Sequence, residues 1–141
     1  MKIKSLRLDK LIPSDYKVHP NSNPISNWIV DVKMAISLTK DSSGAYEQVI
    51  QVIVTKNATD KTVVLKVSNV FSLFVEGTPN DEWNDENYWQ YADLMQASCC
   101  HARALFAEIS KNDLPNVGFF ALQSVQYYYN DLKTRYKQIW N

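Results

Sequence analysis

Glycine is nearly missing from this chain: Gly44, Gly77 and Gly118 are the only three in 141 residues. That excludes a phosphate-cradling loop and a dinucleotide fingerprint, which need several glycines so that backbone can approach the ligand closely. Cysteine is as scarce. Cys99 and Cys100 are neighbours in sequence, and adjacent cysteines almost never bridge each other, so there is no disulfide framework. The two histidines are His19 and His101. His101 follows both cysteines, but three consecutive helical residues point in three directions and converge on neither a metal ion nor a Cys–His nucleophile. No serine is singled out as the partner of a histidine and an acid. The chain is therefore expected not to be an enzyme, and to need no cofactor and no metal.

A surplus of one charge is lacking as well, with 15 basic against 15 acidic residues. Neutral balance gives no general pull towards nucleic acid or anionic lipid. Locally the balance breaks: residues 76 to 100 hold Glu76, Asp81, Glu82, Asp85, Glu86 and Asp93 with no Lys or Arg. The spacing does not fit an EF-hand and its loop glycine is absent, so Asp85 and Glu86 are better placed as acids near a helix N-terminus. No apolar run approaches the roughly 18 residues of a membrane helix. The opening Met1-Lys2-Ile3-Lys4-Ser5 has no apolar signal-peptide core. A cytoplasmic protein without membrane insertion is expected, and the length sets a single domain over residues 1–141.

What is present is alternation. From Trp28 to Thr39, Trp28, Val30, Val32, Met34, Ile36 and Leu38 alternate with mostly polar residues, the period of a half-buried strand. A second strand spans Tyr46 to Lys56, with Ile50, Val52 and Val54 on one face. A third spans Thr62 to Val75, with Val63, Leu65, Val67, Phe71 and Leu73 on one face. Asp41-Ser42-Ser43-Gly44 and Asn57-Ala58-Thr59-Asp60 supply turn chemistry between them, so the three form an antiparallel meander. Val49, Ile53, Val64, Val70 and Phe74 put apolar groups on the opposite faces too. A sheet covered on one side keeps its other face wet, so this sheet is expected to meet something on both sides. Residues 1 to 12 alternate weakly and predict a short edge strand. Pro13, Pro20 and Pro24 follow as an extended connection.

Two helices close the chain. Tyr88 to Ser110 repeats Tyr91, Met95, Ser98, Ala102, Leu105 and Ile109 at steps of three and four. Apolar and small residues spread further round it, as on a helix packed on more than one side. Pro115 ends it. Val117 to Trp140 predicts a second helix capped by Asn116, with Leu122, Val125, Tyr129 and Leu132 on one face and Phe119, Phe120, Tyr127 and Tyr128 largely off it. Four Trp, eight Tyr and five Phe, each hiding about 150–250 Å² when buried, are many for one small core.

The order of elements resembles the SecB export chaperone family. Tyr46-Glu47-Gln48-Val49-Ile50-Gln51-Val52-Ile53-Val54-Thr55 looks like that family's Y-E-V-V-L-R-V-T-V-T strand, and Val70-Phe71-Ser72-Leu73 is similar to its I-F-S-I. Leu94 to Ala102, Leu114-Pro115 and Val117-Gly118-Phe119-x-Ala121-Leu122 look like its first helix, its proline break and its V-N-F-D-A-L opening of the second helix. The resemblance implies an α+β, SecB-like fold: a four-stranded antiparallel sheet, made of a short N-terminal strand and a three-strand meander, then two helices. It implies a homotetrameric dimer of dimers with first helices between sheets. It also implies an ATP-independent holdase that keeps unfolded polypeptides or preproteins in apolar grooves, for protein export or as the dedicated chaperone of a toxin–antitoxin system. Docking to the motor SecA is implied too, but the neutral charge, Val63-Val64 where an acidic contact is expected, and an ending at Trp140-Asn141 without an acidic tail all depart from that part of the pattern.

Site residues follow from the spare apolar positions. Trp28, Val49, Ile53, Phe74, Phe119, Phe120, Tyr127 and Tyr128 are expected to face a client; Leu65, Val67, Ala97, Cys100 and Ala104 are expected to meet other subunits. The alternative is a protein for a small apolar ligand, with the helices folded over a curved sheet.

Overall fold

The computed structural model describes residues 2–20, 29–40, 46–57, 60–77, 83–114 and 120–139. Trp28, Asn116 and Phe119 lie outside the described residues. The fold is α+β: a four-stranded antiparallel sheet followed by two helices. Strands β2 (Ile29–Lys40), β3 (Tyr46–Asn57) and β4 (Lys61–Glu76) form the expected meander, and β1 (Lys2–Pro20) adds to β4, giving the order β1-β4-β3-β2.

The N-terminal strand is not short. It pairs with β4 from Lys2–Glu76 to Pro20–Lys61, so Pro13 and Pro20 belong to the strand and not to a connection. A proline donates no hydrogen bond, but on an edge strand its nitrogen has no obligatory partner. Register shifts between Ile3 and Ser5, Leu8 and Lys10, and Ser14 and Lys17 break the alternation. Asp15, inside the last of them, takes φ 52°, a left-handed conformation that Asp tolerates better than most side chains.

Helix α1 (Asp85–Ser110) begins where Asn84 caps it, accepting a hydrogen bond from the Asn87 backbone at 3.0 Å. Asp85 and Glu86 sit in its first turn, on the favourable end of the helix dipole. Its buried stripe includes Tyr91, Met95, Ser98, Ala102 and Phe106. That stripe meets Ile50, Val52, Val54, Val63, Leu65, Val67 and Leu73, all fully buried. Each strand is also tied to α1 by a side chain. Gln90 donates to the Ile3 carbonyl on β1 at 3.1 Å. His101 lies 2.6 Å from Asn69 on β4, the Tyr91 hydroxyl donates to Gln48 on β3 at 2.7 Å, and Cys99 lies 3.6 Å from the Met34 sulfur on β2. Below the helix end, Tyr16 donates to Asp113, clasping β1 to the last turn.

Helix α2 (Val125–Ile139) starts later than the periodicity predicts. Phe120 to Ser124 are not helical, and Ser124 caps the helix by accepting from the Tyr127 backbone at 3.2 Å. Among the described elements α2 packs on α1 alone. No described helix is long and apolar enough to cross a membrane.

Candidate functional site

The placement of α1 leaves one flank of the sheet open. The helix lies over β3, β4 and the start of β1, not over β2. Even-numbered residues of β2 face the helix side, since Val32, Met34 and Ile36 stand opposite Val54, Val52 and Ile50. Yet Val32 and Ile36 remain 36% and 42% exposed. Over this uncovered strip hang the segment before α2 and the first turns of α2, held by α1. Gln96 donates to the Gln123 carbonyl at 3.2 Å.

The result is a groove of about 690 Å³. Val32 and Met34 form its floor and Cys99 its inner end. Phe120, Leu122 and Tyr127 line the α2 side, with Tyr127 48% exposed. Asp131 and Arg135 meet at the rim as an ion pair, 2.7 Å apart, so that their charges offset each other. Deep in the groove wall, burial pushes up the thiol of Cys99 and the hydroxyl of Tyr128. Both stay protonated at neutral pH, which keeps these two wall groups uncharged, beside Lys33, Asp131 and Arg135 of the lining, and leaves Cys99 no thiolate for nucleophilic chemistry. Among the described residues, no group of three or more His, Cys, Asp or Glu side chains gathers to hold a metal.

What holds the outer wall in place is an aromatic latch. Trp89 on α1 and Tyr129 on α2 stack with centroids 4.1 Å apart and planes 20° from parallel. The Tyr129 hydroxyl donates to Asp85 at 2.9 Å, and the Lys133 ammonium lies 3.3 Å from the same oxygen and 5.0 Å from the Tyr129 ring centre. These contacts hold the Asp85 carboxyl below the usual range, the Tyr129 hydrogen bond first.

The residues expected to face a client do not converge. Phe120 and Tyr127 line the groove, and Tyr128 belongs to its wall but is buried. Val49, Ile53 and Phe74 lie on the other face of the sheet, because they alternate out of phase with Ile50, Val52 and Leu73. The residues expected at subunit contacts divide as well. Leu65 and Val67 are core: their strand phase points them under α1, with no exposed surface. Ala97 is half-buried, and Cys100 and Ala104 are exposed on the side of α1 away from the sheet. Val32, Met34 and Cys99 were not singled out as site residues. Their alternation and helical spacing are the same as those of core positions, and only the placement of α1 distinguishes them.

No protein-family model matches the chain, and no curated protein matches it. Among solved structures it is similar to the Mycobacterium tuberculosis Rv1957 SecB-like chaperone in complex with a ChAD peptide from the Rv1956 HigA1 antitoxin. The TM-score is 0.58 at 11% identity, covering 84% of this chain and 88% of that one. A Streptococcus agalactiae protein of unknown function aligns at TM-score 0.45 and 14% identity over 83% of this chain and 98% of that one. At such identities the likeness is one of fold: a SecB-like sheet and helix pair.

Proposed function

We propose that this protein is an ATP-independent chaperone that holds extended apolar polypeptide segments in the groove between β2 and α2, without catalysis or a cofactor. The observation that carries this reading is the uncovered apolar flank of β2, Val32 and Ile36, beside the exposed ring of Tyr127. The outer edge of β2 is also the edge of the sheet. A segment laid there gains main-chain hydrogen bonds from the strand and pockets for alternate side chains from the groove. The client class is supported by the SecB-like chaperone of similar fold, which is bound to an antitoxin peptide. Antitoxin segments and export preproteins, met in the cytoplasm, are both clients of this chemistry.

The assembly we propose is a dimer of dimers. The free edge of β1 carries Leu6, Leu8 and Leu11, 47%, 40% and 37% exposed, on the face that α1 shares. Ala97, Cys100 and Ala104 give α1 a side with small residues for a second helix. A small apolar ligand is the second reading, favoured by a groove volume within the roughly 300–1,000 Å³ of ligand pockets.

The test mixes the protein with a chemically unfolded, aggregation-prone client and follows light scattering. Suppression by the native chain, weakened in Tyr127→Asp, is the expected result. No suppression at a few-fold excess of chaperone overturns the holdase. A solution mass of one protomer overturns the tetramer and returns weight to the small-ligand reading.

A further inference from the structure

The two edges of the sheet differ as templates for another strand. The β1 edge is interrupted: Pro13 and Pro20 lie in it, three register shifts break its pairing, and Asp15 turns to φ 52°. Prolines and bulges are devices that keep an edge strand from pairing further. The β2 edge has neither. Its twelve residues, Ile29–Lys40, pair with β3 in unbroken register and include no proline. Along such a strand every second residue turns its N–H and C=O outward. The same strand sorts its side chains by face. Val32, Met34, Ile36 and Leu38 share the groove side, half-buried to exposed, whereas Asp31, Lys33, Ala35 and Ser37 are exposed on the far side. Lysine is a common guard of sheet edges, but Lys33 stands opposite Ile53, out of phase with the groove floor, and pairs with Asp31 at 3.6 Å.

We infer that the groove reads pattern rather than total apolar content: its occupant is an amphipathic β-segment, apolar at alternate positions and polar between them, added to β2 as a further strand. The inference rests on the holdase reading and names its client class. Three features select that occupant. First, outward-facing N–H and C=O groups on β2 bond an extended chain and not a helix, whose backbone groups are already paired. Second, the α2 wall from Tyr127 to Arg135 is about 12 Å long. Over that length a helix about 10 Å across fills roughly 900 Å³, while a strand of about 4.8 by 10 Å in section fills roughly 600 Å³. The groove holds about 690 Å³, so the strand fits and the helix does not. Third, a strand paired to β2 turns alternate side chains onto Val32, Met34 and Ile36 and sends the others into water beside Asp31, Lys33 and Ser37. The far-side charges offset each other, as Asp131 and Arg135 do at the rim, so the sign of the client's polar residues goes unread. A client with its apolar residues in one block, or at helical steps, seats only part of them.

The experiment uses the full native chain and dye-labelled peptides of about nine residues. All share one composition, leucines and threonines with a single lysine, in three orders: leucines alternating, leucines consecutive, and leucines at steps of three and four. Fluorescence anisotropy is expected to show the alternating order binding at least about tenfold more tightly than either other, because each apolar side chain left out of the groove costs about tenfold or more. Exchanging the peptide's lysine for glutamate should change the affinity less than about fivefold. Methylating the amide nitrogens of alternate residues removes the donors on one edge of the bound strand. One phase of methylation should cost the alternating peptide at least about tenfold, and the other phase should leave it nearly unchanged. Equal affinities for the three orders overturn the inference, and so do equal effects of the two methylation phases. An affinity that falls as the protein concentration rises assigns the β2 edge to a second copy and overturns it as well. Equal affinities with client aggregation still suppressed leave the holdase standing and remove only the pattern; no peptide binding and no suppression remove both.

Discussion

Replacing Trp89 with alanine tests whether α2 is a separately hinged wall. The indole stacks on Tyr129 across the two helices at 4.1 Å, and among the described elements the α2 backbone packs closely on α1 alone. The substitution removes the ring and leaves the 2.9 Å hydrogen bond from Tyr129 to Asp85 in place. An aromatic pair contributes about 0.5–1.5 kcal/mol beyond the area it hides, and about 1.4 kcal/mol is tenfold in an equilibrium. Lifting of α2 from α1 should therefore become about two- to twelvefold more frequent, with the lost apolar contact making the lower figure a floor. Amide hydrogen exchange reads this directly, since local openings expose a helix without unfolding the sheet. In the native chain the amides of Tyr128 to Leu132 should already exchange faster than those of Val52 and Leu65. In Trp89→Ala they should accelerate by the factor above. Unchanged exchange in α2 would refute the latch. Native α2 amides as slow as those of β3 would refute a helix that opens by itself.

Met95, 1% exposed under the sheet, should cost about 2–5 kcal/mol when replaced by alanine, read from denaturant midpoints. Tyr127→Ser, at a side chain 48% exposed, should leave the melting temperature nearly unchanged while lowering affinity for an extended apolar peptide, measured by titration calorimetry. The Asp85 carboxyl is held low by Tyr129 and then Lys133. A depressed carboxyl adds stability above its unfolded pKa of about 3.9 and loses it as pH falls through the lower folded value. Exchange in α2 should accordingly be insensitive to this group from neutral pH down to about 4, and Asp85→Asn should abolish its acid-induced rise below that. Cys99 is buried with its thiol pushed up, whereas Cys100 is exposed. A thiol reagent near neutral pH should therefore modify Cys100 rapidly in the separated protomer and slowly in the proposed assembly, and Cys99 only in denaturant.

Much of this fold could be read from alternation. Val52, Val54, Leu65 and Leu73 announce a strand face by period two, and they are the core. The errors lie where a local signal was interrupted or continued too far. In β1, three register shifts scramble the alternation and Pro13 looks like a break, so a strand of 19 residues appears to stop early. At α2, the apolar run through Phe120 and Leu122 mimics helix periodicity, while Ser124 sets the true start. The groove was legible only in part. Phe120 and Tyr127 stood out as aromatics off the main stripe. Val32 and Met34 did not, because whether an apolar strand face is covered depends on where α1 lies across the sheet, a tertiary fact without local signature. Val49 and Ile53 could be assigned to the second face, but not separated from the α2 aromatics.

Shift mapping of the labelled protein with an unlabelled extended apolar peptide tests the central claim most directly. A segment held beside β2 should move the amides of Val32, Met34 and Ile36, together with those of Cys99 and Tyr127, and leave those of Val49 and Ile53 less affected. An absence of binding, or shifts confined to the opposite face of the sheet, would contradict it.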